Sequence, residues 1–191
     1  MRIGINGFGR IGRTVFRILN RQQVIDVAAI NDLANDDVLA YLLKYDTVMG
    51  PLKDSVSVKN GVLTTSNHSI KMLNKHDPAT LPWTELGVDV VIEATGVFRT
   101  REQLQSHLDA GAGYVILTVP AKDEIDYTVV IGVNEDRLTS DHKIISNASC
   151  TTNCLAPMAK VLNDAFGIEY GVINTIHAYT NDQRLADVPH S

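Results

Sequence analysis

The sequence is poor in the features that mark several large classes of protein. Two of its 191 residues are cysteine and one is tryptophan. Two cysteines cannot form the disulfide framework of a small secreted domain. No apolar run reaches membrane-spanning length, and the N-terminus lacks the charged-then-apolar order of a secretory signal. We therefore expect a protein of the cytoplasm, with no membrane partner.

The charge pattern excludes a second group of partners. The formal net charge is −5, and no long run carries one sign, so we expect no nucleic-acid partner. Hydrophobic residues make up 45% of the chain and charged residues 20%, as in ordinary globular proteins. The length suits one full domain and part of another, or one large domain.

The first half of the chain alternates between strand-like and helical patterns. Strand-like Arg2–Asn6 and Val24–Asn31 flank a helical pattern that begins at Arg10, and a second helical pattern covers Asp36–Tyr45. This βαβα order predicts crossover helices and a parallel sheet. Further strands are predicted at Val88–Glu93, Tyr114–Leu117, Tyr127–Ile131 and Lys143–Ser146. We expect an α/β fold with a Rossmann-type, doubly wound, mostly parallel sheet.

Two segments depart from this alternation. Ser55–Leu73 contains Asn60-Gly61, a strong hairpin signal, and is predicted to be a small antiparallel insertion at the side of the sheet, with a last strand at Ser69–Leu73. Beyond residue 149 we predict a helix over Cys150–Phe166 and a strand over Gly171–His177. We expect residues 1–149 to form the first domain and 150–191 to begin an α+β catalytic domain.

A glycine-rich segment follows the first predicted strand. Its glycines Gly7, Gly9 and Gly12 fit the G-x-G-x-x-G pattern, and Asp32 closes the second strand. In a dinucleotide site the first glycine permits a tight turn, the second lets the backbone approach a pyrophosphate, and the third allows close helix packing. The acid hydrogen-bonds the adenosine ribose and favours NAD over NADP.

Other roles exist for these residues. The glycines can form a plain turn, and Asp32 can cap the next helix. The order of strand, glycines, helix and acid favours a cofactor site. Thr95-Gly96 ends another strand, where it could contact the cofactor or form a turn.

The second candidate site is centred on Cys150. Ser149 is a good N-cap, so Cys150 falls in the first turn of a helix, where free N–H groups stabilise a thiolate. His177 ends the predicted strand and could face the thiol as acid or base. The alternatives are a buried structural cysteine with a core histidine, and a zinc site that adds Cys154 but lacks a fourth ligand. The upstream cofactor loop favours the nucleophile.

An activated thiol beside a dinucleotide suggests oxidation of an aldehyde. The thiol adds to the carbonyl, hydride leaves to the nicotinamide, and a thioester remains for an acyl acceptor. Hydroxyls of Ser149, Thr151 and Thr180 suit an oxyanion acceptor such as phosphate. The same hydroxyls can instead cap a helix or form turns.

Several motifs resemble the glyceraldehyde-3-phosphate dehydrogenases. They are Ile5-Asn6-Gly7-Phe8-Gly9-Arg10-Ile11-Gly12-Arg13, Glu93-Ala94-Thr95-Gly96-Val97-Phe98, Ser146-Asn147-Ala148-Ser149-Cys150-Thr151-Thr152-Asn153-Cys154 and His177-Ala178-Tyr179-Thr180. The resemblance runs from Arg2 to Ser191. It implies Cys150 as nucleophile and His177 as its partner. The implied phosphate-contacting residues are Ser149, Thr151 and Thr180, and the implied cofactor contacts include Arg10, Ile11, Asp32, Thr95, Gly96 and Thr118.

Two departures concern the cofactor contacts. His76 stands where the family usually has arginine or lysine, near the adenine end of the cofactor. Thr118 stands where serine is common, which keeps the hydroxyl. The resemblance further implies NAD as cofactor, a triose phosphate and inorganic phosphate as substrates, a glycolytic role and a homotetramer.

Two alternatives remain open. Erythrose-4-phosphate dehydrogenases share the implied fold and thiol, although Thr180 favours the triose phosphate. Family chains also continue well beyond this length, so the sequence resembles the N-terminal portion of a longer protein. The chain alone could therefore be an inactive fragment that only binds nucleotide.

Overall fold

The sheet confirms the predicted α/β class. A computed structural model describes residues 1–22 and 24–178. The strands are β1 (Arg2–Asn6), β2 (Asp26–Asn31), β3 (Ser57–Lys59), β4 (Val62–Thr64), β5 (Ser69–Leu73), β6 (Val90–Glu93), β7 (Tyr114–Leu117), β8 (Tyr127–Thr128) and β9 (Ile144–Ser146). The helices are α1 (Arg10–Leu19), α2 (Asp36–Lys44), α3 (Trp83–Leu86), α4 (Arg101–Asp109) and α5 (Cys150–Phe166), with short 3-10 turns at Pro78–Thr80 and Glu135–Arg137.

These strands form one sheet with the order β3-β4-β5-β2-β1-β6-β7-β9-β8. The six pairings among β5, β2, β1, β6, β7, β9 and β8, taken in this spatial order, are all parallel. The pairings β3–β4 and β4–β5 are antiparallel. The strand order runs outward from β1 in both directions, which creates a topological switch point between β1 and β6. In doubly wound folds ligands bind at this point, beyond the carboxyl ends of the strands.

The predicted insertion proves to be part of the main sheet. Its last strand, β5, pairs antiparallel with β4 and parallel with β2. The hairpin therefore extends the sheet edge, and β5 is the third strand of the parallel half. Asn60 and Gly61 at the hairpin tip both have positive φ, 53° and 70°, as a tight two-residue turn of this type requires.

Apolar side chains pack on the sheet because its central strands are buried on both faces. One cluster joins β1, β2, β4 and β5 to α1 and α2 through residues such as Ile5, Phe16 and Leu43. A second is centred on Trp83, whose ring packs over β1 so closely that a Cβ at Gly4 would lie 2.8 Å from it. A third joins Leu104 of α4 to β7 and β9. This core fixes the carboxyl ends of the central strands, where the cofactor site is predicted.

The region after β9 differs. Helix α5 forms over the predicted range and ends at Gly167 (φ 73°), but none of its residues is buried. The predicted strand Gly171–His177 is wrong, since residues 171–178 have no strand assignment and are exposed. A strand requires a hydrogen-bonded neighbour, and none pairs with this segment among the described residues. Among residues 1–22 and 24–178, no helix combines the length and the apolar character that spanning a membrane requires.

Candidate cofactor and thiol sites

A cavity of about 420 Å³ opens at the switch point between β1 and β6. That volume is within the usual range for small-molecule sites. Its walls are the segments that follow β1, β2, β5 and β6: Asn6, Gly7, Gly9, Asn31, Asp32, Leu33, Lys75, His76, Ala94, Thr95, Val97 and Phe98. Five of the predicted cofactor residues are among them: Gly7, Gly9, Asp32, His76 and Thr95.

The three glycines have distinct geometric roles. Gly7 has φ +91°, and a Cβ there would lie 2.6 Å from the Thr95 backbone nitrogen. Gly12 packs so tightly that its Cβ would lie 2.1 Å from the Gly7 carbonyl oxygen. Gly9 is exposed, and a Cβ added to it would meet no atom within 4 Å. The loop is therefore closed at two glycines and open at the third, which leaves room for a phosphate against the backbone.

Both backbone polar groups of Phe8 have side-chain hydrogen-bond partners. Its N–H donates to Asp32 Oδ2 at 2.7 Å, and its carbonyl accepts from Arg13 Nη1 at 2.8 Å. Burial, followed by the nearby charge of Arg10, lowers the pKa of Arg13 from its ordinary value. Asp32 also accepts from the N–H of Ala34 at 2.9 Å. Asp32 thus fixes the loop in addition to facing the pocket, and each carboxylate oxygen keeps a lone pair.

Arg10, Ile11 and Gly12 are not among the residues that line the cavity. Arg10 Nη1 pairs with Asp46 Oδ2 at 3.2 Å, while Ile11 is about half exposed. The Asp46 pKa is lowered, chiefly by the N–H of Met49 and also by Arg10. Residues 10–12 form the first turn of α1, so their N–H groups lack intrahelical acceptors. They can serve an anion through the backbone.

Gly96 and Thr118 lie near the pocket but do not line it. Gly96 follows Thr95 with φ +72°. Thr118 follows β7, and both its N–H and its hydroxyl bond the Glu93 carbonyl at 3.1 Å. Neither position conflicts with a contact to a bound cofactor.

A buried polar network beneath the pocket could not be predicted from the sequence. Glu93 is fully buried and accepts from Asn6 Nδ2 at 2.5 Å and from His107 Nε2 at 3.0 Å. Its other oxygen accepts from the N–H of Thr95 at 2.8 Å and from the Thr95 hydroxyl. Trp83 Nε1 donates to His107 Nδ1 at 3.1 Å. Since an indole N–H only donates, Nδ1 carries no proton, and His107 is the neutral Nε2–H tautomer.

The network continues to the side of the pocket formed by the ends of β2 and β5. Asn31 Nδ2 donates to Asn6 Oδ1 at 2.7 Å and to the Lys75 carbonyl at 2.9 Å, while the Lys75 N–H donates to Asn31 Oδ1 at 2.8 Å. The ends of β1, β2, β5 and β6 are thereby joined. The only sequence feature that three members share is their position, since Asn6, Asn31 and Glu93 each end a strand of the parallel sheet.

The second site surrounds the start of α5. Ser149 is the N-cap, and its Oγ accepts from the Thr152 N–H at 2.9 Å. Cys150 is an exposed free thiol in the first turn. A groove of about 530 Å³ runs along this helix, lined by Cys150, Thr151, Cys154, Leu155, Met158, Val172, Ile173, Asn174, Thr175, Ile176 and His177.

Three of the predicted site residues meet in this groove. His177 Nε2 lies 3.5 Å from the Thr151 hydroxyl, one residue from Cys150. The structure therefore brings the histidine to the helix start although the segment that carries it forms no strand. Cys150, Cys154 and His177 do not form a metal-binding group. Among the described residues, no cluster of three or more histidine, cysteine, aspartate or glutamate side chains could hold a metal ion. Thr180 falls outside the described residues.

Two family models match parts of this chain. Residues 1–101 match the family model for the NAD binding domain of glyceraldehyde 3-phosphate dehydrogenase, and residues 149–191 match the model for its C-terminal domain. The chain belongs to the glyceraldehyde 3-phosphate dehydrogenase family. The cofactor of its N-terminal domain is accordingly NAD, and the open backbone at Gly9 is compatible with a pyrophosphate.

The chain is also similar to curated members of this family from several bacteria. It is 53% identical to glyceraldehyde-3-phosphate dehydrogenase of Streptomyces coelicolor, over 100% of this chain and 57% of that protein. It is 54% identical to the enzymes of Borreliella burgdorferi and Thermotoga maritima, over 100% and 99% of this chain and 58% and 57% of theirs. The chain thus spans somewhat more than half the length of these relatives.

Proposed function

We propose that this chain contributes the NAD site and the nucleophile of an enzyme that oxidises and phosphorylates D-glyceraldehyde 3-phosphate to 1,3-bisphosphoglycerate. The observation that carries the proposal is the meeting of Cys150, Thr151 and His177 in one groove, in a chain that also has a cofactor pocket at the sheet switch point. The bacterial relatives are named glyceraldehyde-3-phosphate dehydrogenases, which supports the choice of substrate.

Each site residue has a proposed part in cofactor binding. The N–H groups of residues 10–12, with Gly7 and Gly9, hold the pyrophosphate at the start of α1. Asp32 accepts from the adenosine ribose and disfavours a 2′-phosphate. His76 would contact the adenine end of the cofactor, and Thr95, Gly96 and Thr118 would make further contacts with it. NAD, when bound, accepts the hydride.

The proposed chemistry begins at Cys150. Its thiolate adds to the aldehyde carbon and forms a thiohemiacetal, whose oxygen is held by the Cys150 N–H and by His177. The imidazolium of His177 donates a proton to that oxygen and takes the same proton back as hydride leaves the carbon, so that a thioester remains. Inorganic phosphate then attacks the thioester carbonyl and releases the Cys150 thiolate. Hydroxyls of Ser149, Thr151 and Thr180 position the phosphate groups.

The test is NADH formation by this chain, and by a longer chain if its gene continues. We expect NADH from glyceraldehyde 3-phosphate only when phosphate or arsenate is present, and none after Cys150→Ser. Equal NADH formation without an acyl acceptor would contradict phosphorylation. Faster, phosphate-independent oxidation of erythrose 4-phosphate would instead support the related four-carbon dehydrogenase.

One observation favours a second candidate, a nucleotide-binding fragment without turnover. Helix α5 and residues 167–178 are uncovered, and the relatives are longer than this chain. We expect this fragment to bind NAD in calorimetric titration without forming NADH.

The drop in burial after β9 also supports a boundary between domains 1–149 and 150–191. Limited proteolysis that yields a stable product ending near residue 149 would support that division, whereas cleavage within 1–149 would contradict it.

For the full-length protein we propose a cytoplasmic homotetramer of glycolysis. Light scattering on the purified protein measures the assembly, and a monomer would contradict it. Fractionation of the source cells tests the location.

A further inference from the structure

The turn that delivers Cys150 to the helix contains an unusual backbone conformation. Ala148 has φ +58° and is buried, with 6% exposure. Residues other than glycine seldom adopt the left-handed region, at a cost of about 1–2 kcal/mol. Such a conformation persists only where neighbouring contacts hold it.

The side chain of Asn153 supplies those contacts. Its Nδ2 donates to the Asn147 carbonyl at 2.6 Å and to the Ser149 carbonyl at 2.9 Å. The Asn147 carbonyl lies in the peptide before Ala148 and the Ser149 carbonyl in the peptide after Ser149, so one amide group joins the two ends of the left-handed turn. Helix geometry alone does not require this arrangement, because the Asn153 backbone N–H already bonds the Ser149 carbonyl at 2.9 Å.

The same turn is tied to the sheet at its other end. The Asn147 N–H donates to the Leu117 carbonyl at 3.0 Å. Ser146 Oγ donates to the Val119 carbonyl at 2.8 Å and accepts from the Ala148 N–H at 3.0 Å. The bonds from β7 through Ala148 to Asn153 therefore form a continuous connection between the parallel sheet and the first turn of α5.

This connection matters because α5 has no buried residue to fix its direction. We propose that Asn153 is a positioning residue for Cys150, and that it acts by clamping the left-handed turn at Ala148. The proposal rests on the proposed role of Cys150 as the nucleophile. It assigns to Asn153 no contact with substrate or cofactor.

The test uses Asn153→Asp in the whole chain, with Cys154→Ser throughout so that one thiol reports. Aspartate has the same shape but no protons to donate, and it places charge against two carbonyls. A negative charge in the first turn favours a helix, so a merely helical role predicts an unchanged or more stable protein. The clamp predicts that iodoacetamide alkylation of Cys150 at neutral pH slows by about five- to thirtyfold, the effect of one or two ordinary hydrogen bonds.

Two further variants separate the clamp from general damage. Ala148→Gly removes the cost of the left-handed turn, so adding it to Asn153→Asp is expected to restore most of the alkylation rate. Asn163→Asp, near the other end of α5, is the matched control and leaves the rate unchanged. Circular dichroism checks that each variant is folded.

The outcomes are distinct from those of the function test. Equal alkylation rates in Asn153→Asp and its parent overturn the clamp, whatever the parent's absolute rate. A slower rate that Ala148→Gly fails to restore also overturns it. A parent thiol no faster than free cysteine counts against an assembled thiol site, while slowing by Asn153→Asp with rescue by glycine still supports the clamp.

Discussion

The cofactor pocket and the thiol groove are built in opposite ways. The pocket stands on buried polar side chains, with Glu93 fully buried and Asn6 and Asn31 at 1% and 5% exposure. The groove is lined by α5, which has no buried residue, and by a segment in which Val172 and Ile176 are 93% and 95% exposed. One site stands on buried residues, and the other lies on exposed ones.

The difference follows from the range of the interactions. The pocket forms where consecutive βα units bring strand ends together, and each end bonds its neighbour within this chain. The groove has an apolar wall that includes Leu155, Met158 and Ile173, but no further layer covers it among the described residues. A layered domain needs such cover to stabilise a helix face, and the longer relatives have chain available to provide it. Stability and nucleotide binding should therefore depend on the first region, and thiol chemistry on the second.

The largest expected effect is at Gly12. A valine there places its Cβ only 2.1 Å from the Gly7 carbonyl oxygen, which is far closer than two such atoms can approach. The helix and strand must separate, so we expect a loss of about 3 kcal/mol or more in the free energy of unfolding. Urea denaturation followed by circular dichroism measures the loss, and calorimetry should detect no NAD binding.

Gly9→Val is the matched control for Gly12. A Cβ at Gly9 meets no atom within 4 Å, so the urea midpoint should stay nearly constant. NAD affinity should still fall, because the side chain occupies space that a pyrophosphate needs. If Gly9→Val destabilised the protein as much as Gly12→Val, the distinction between closed and open glycines would be wrong.

The second effect concerns the network below the pocket. Glu93→Ala leaves Asn6, His107 and Thr95 without their shared acceptor in a buried site. We expect a loss of about 2–4 kcal/mol in unfolding free energy and weaker NAD binding. The exposed Glu124 offers a control, since Glu124→Ala should change stability by no more than about 0.5 kcal/mol.

A spectroscopic measurement shows whether the network acts as described. The nitrogen NMR shifts of His107 should report the Nε2–H tautomer in the wild type and a mixture or the other tautomer in Glu93→Ala. An unchanged tautomer would mean that Trp83 alone orients the ring and that Glu93 has no part in holding it.

The sequence was informative where interactions are local. Strands β1, β5 and β7 and helix α5 have the predicted bounds, because alternation, an N-cap at Ser149 and a stop at Gly167 act within a few residues. The glycine loop and Asp32 also lie where the pattern placed them. Strand β8 is shorter than the predicted Tyr127–Ile131, since only two residues of that segment pair with β9.

Non-local features escaped prediction for a physical reason. A strand over Gly171–His177 has the right residue types, but pairing decides whether it forms. The contacts of Glu93 with His107 and of His107 with Trp83 span 14 and 24 residues, so no local pattern contains them. The left-handed turn at Ala148 was hidden because alanine gives no sign of positive φ.

The smallest expected effect on stability is at His177. Its side chain lies on an exposed segment and contacts the Thr151 hydroxyl at 3.5 Å, a long and weak hydrogen bond. His177→Ala should therefore change the free energy of unfolding by no more than about 0.5 kcal/mol, while it slows alkylation of Cys150 if the imidazole supports the thiolate. Urea denaturation and alkylation of the same samples, with Cys154→Ser in both, separate the two effects. A large loss of stability would mean that the groove is a packed part of the fold, and the contrast between the two regions would then fail.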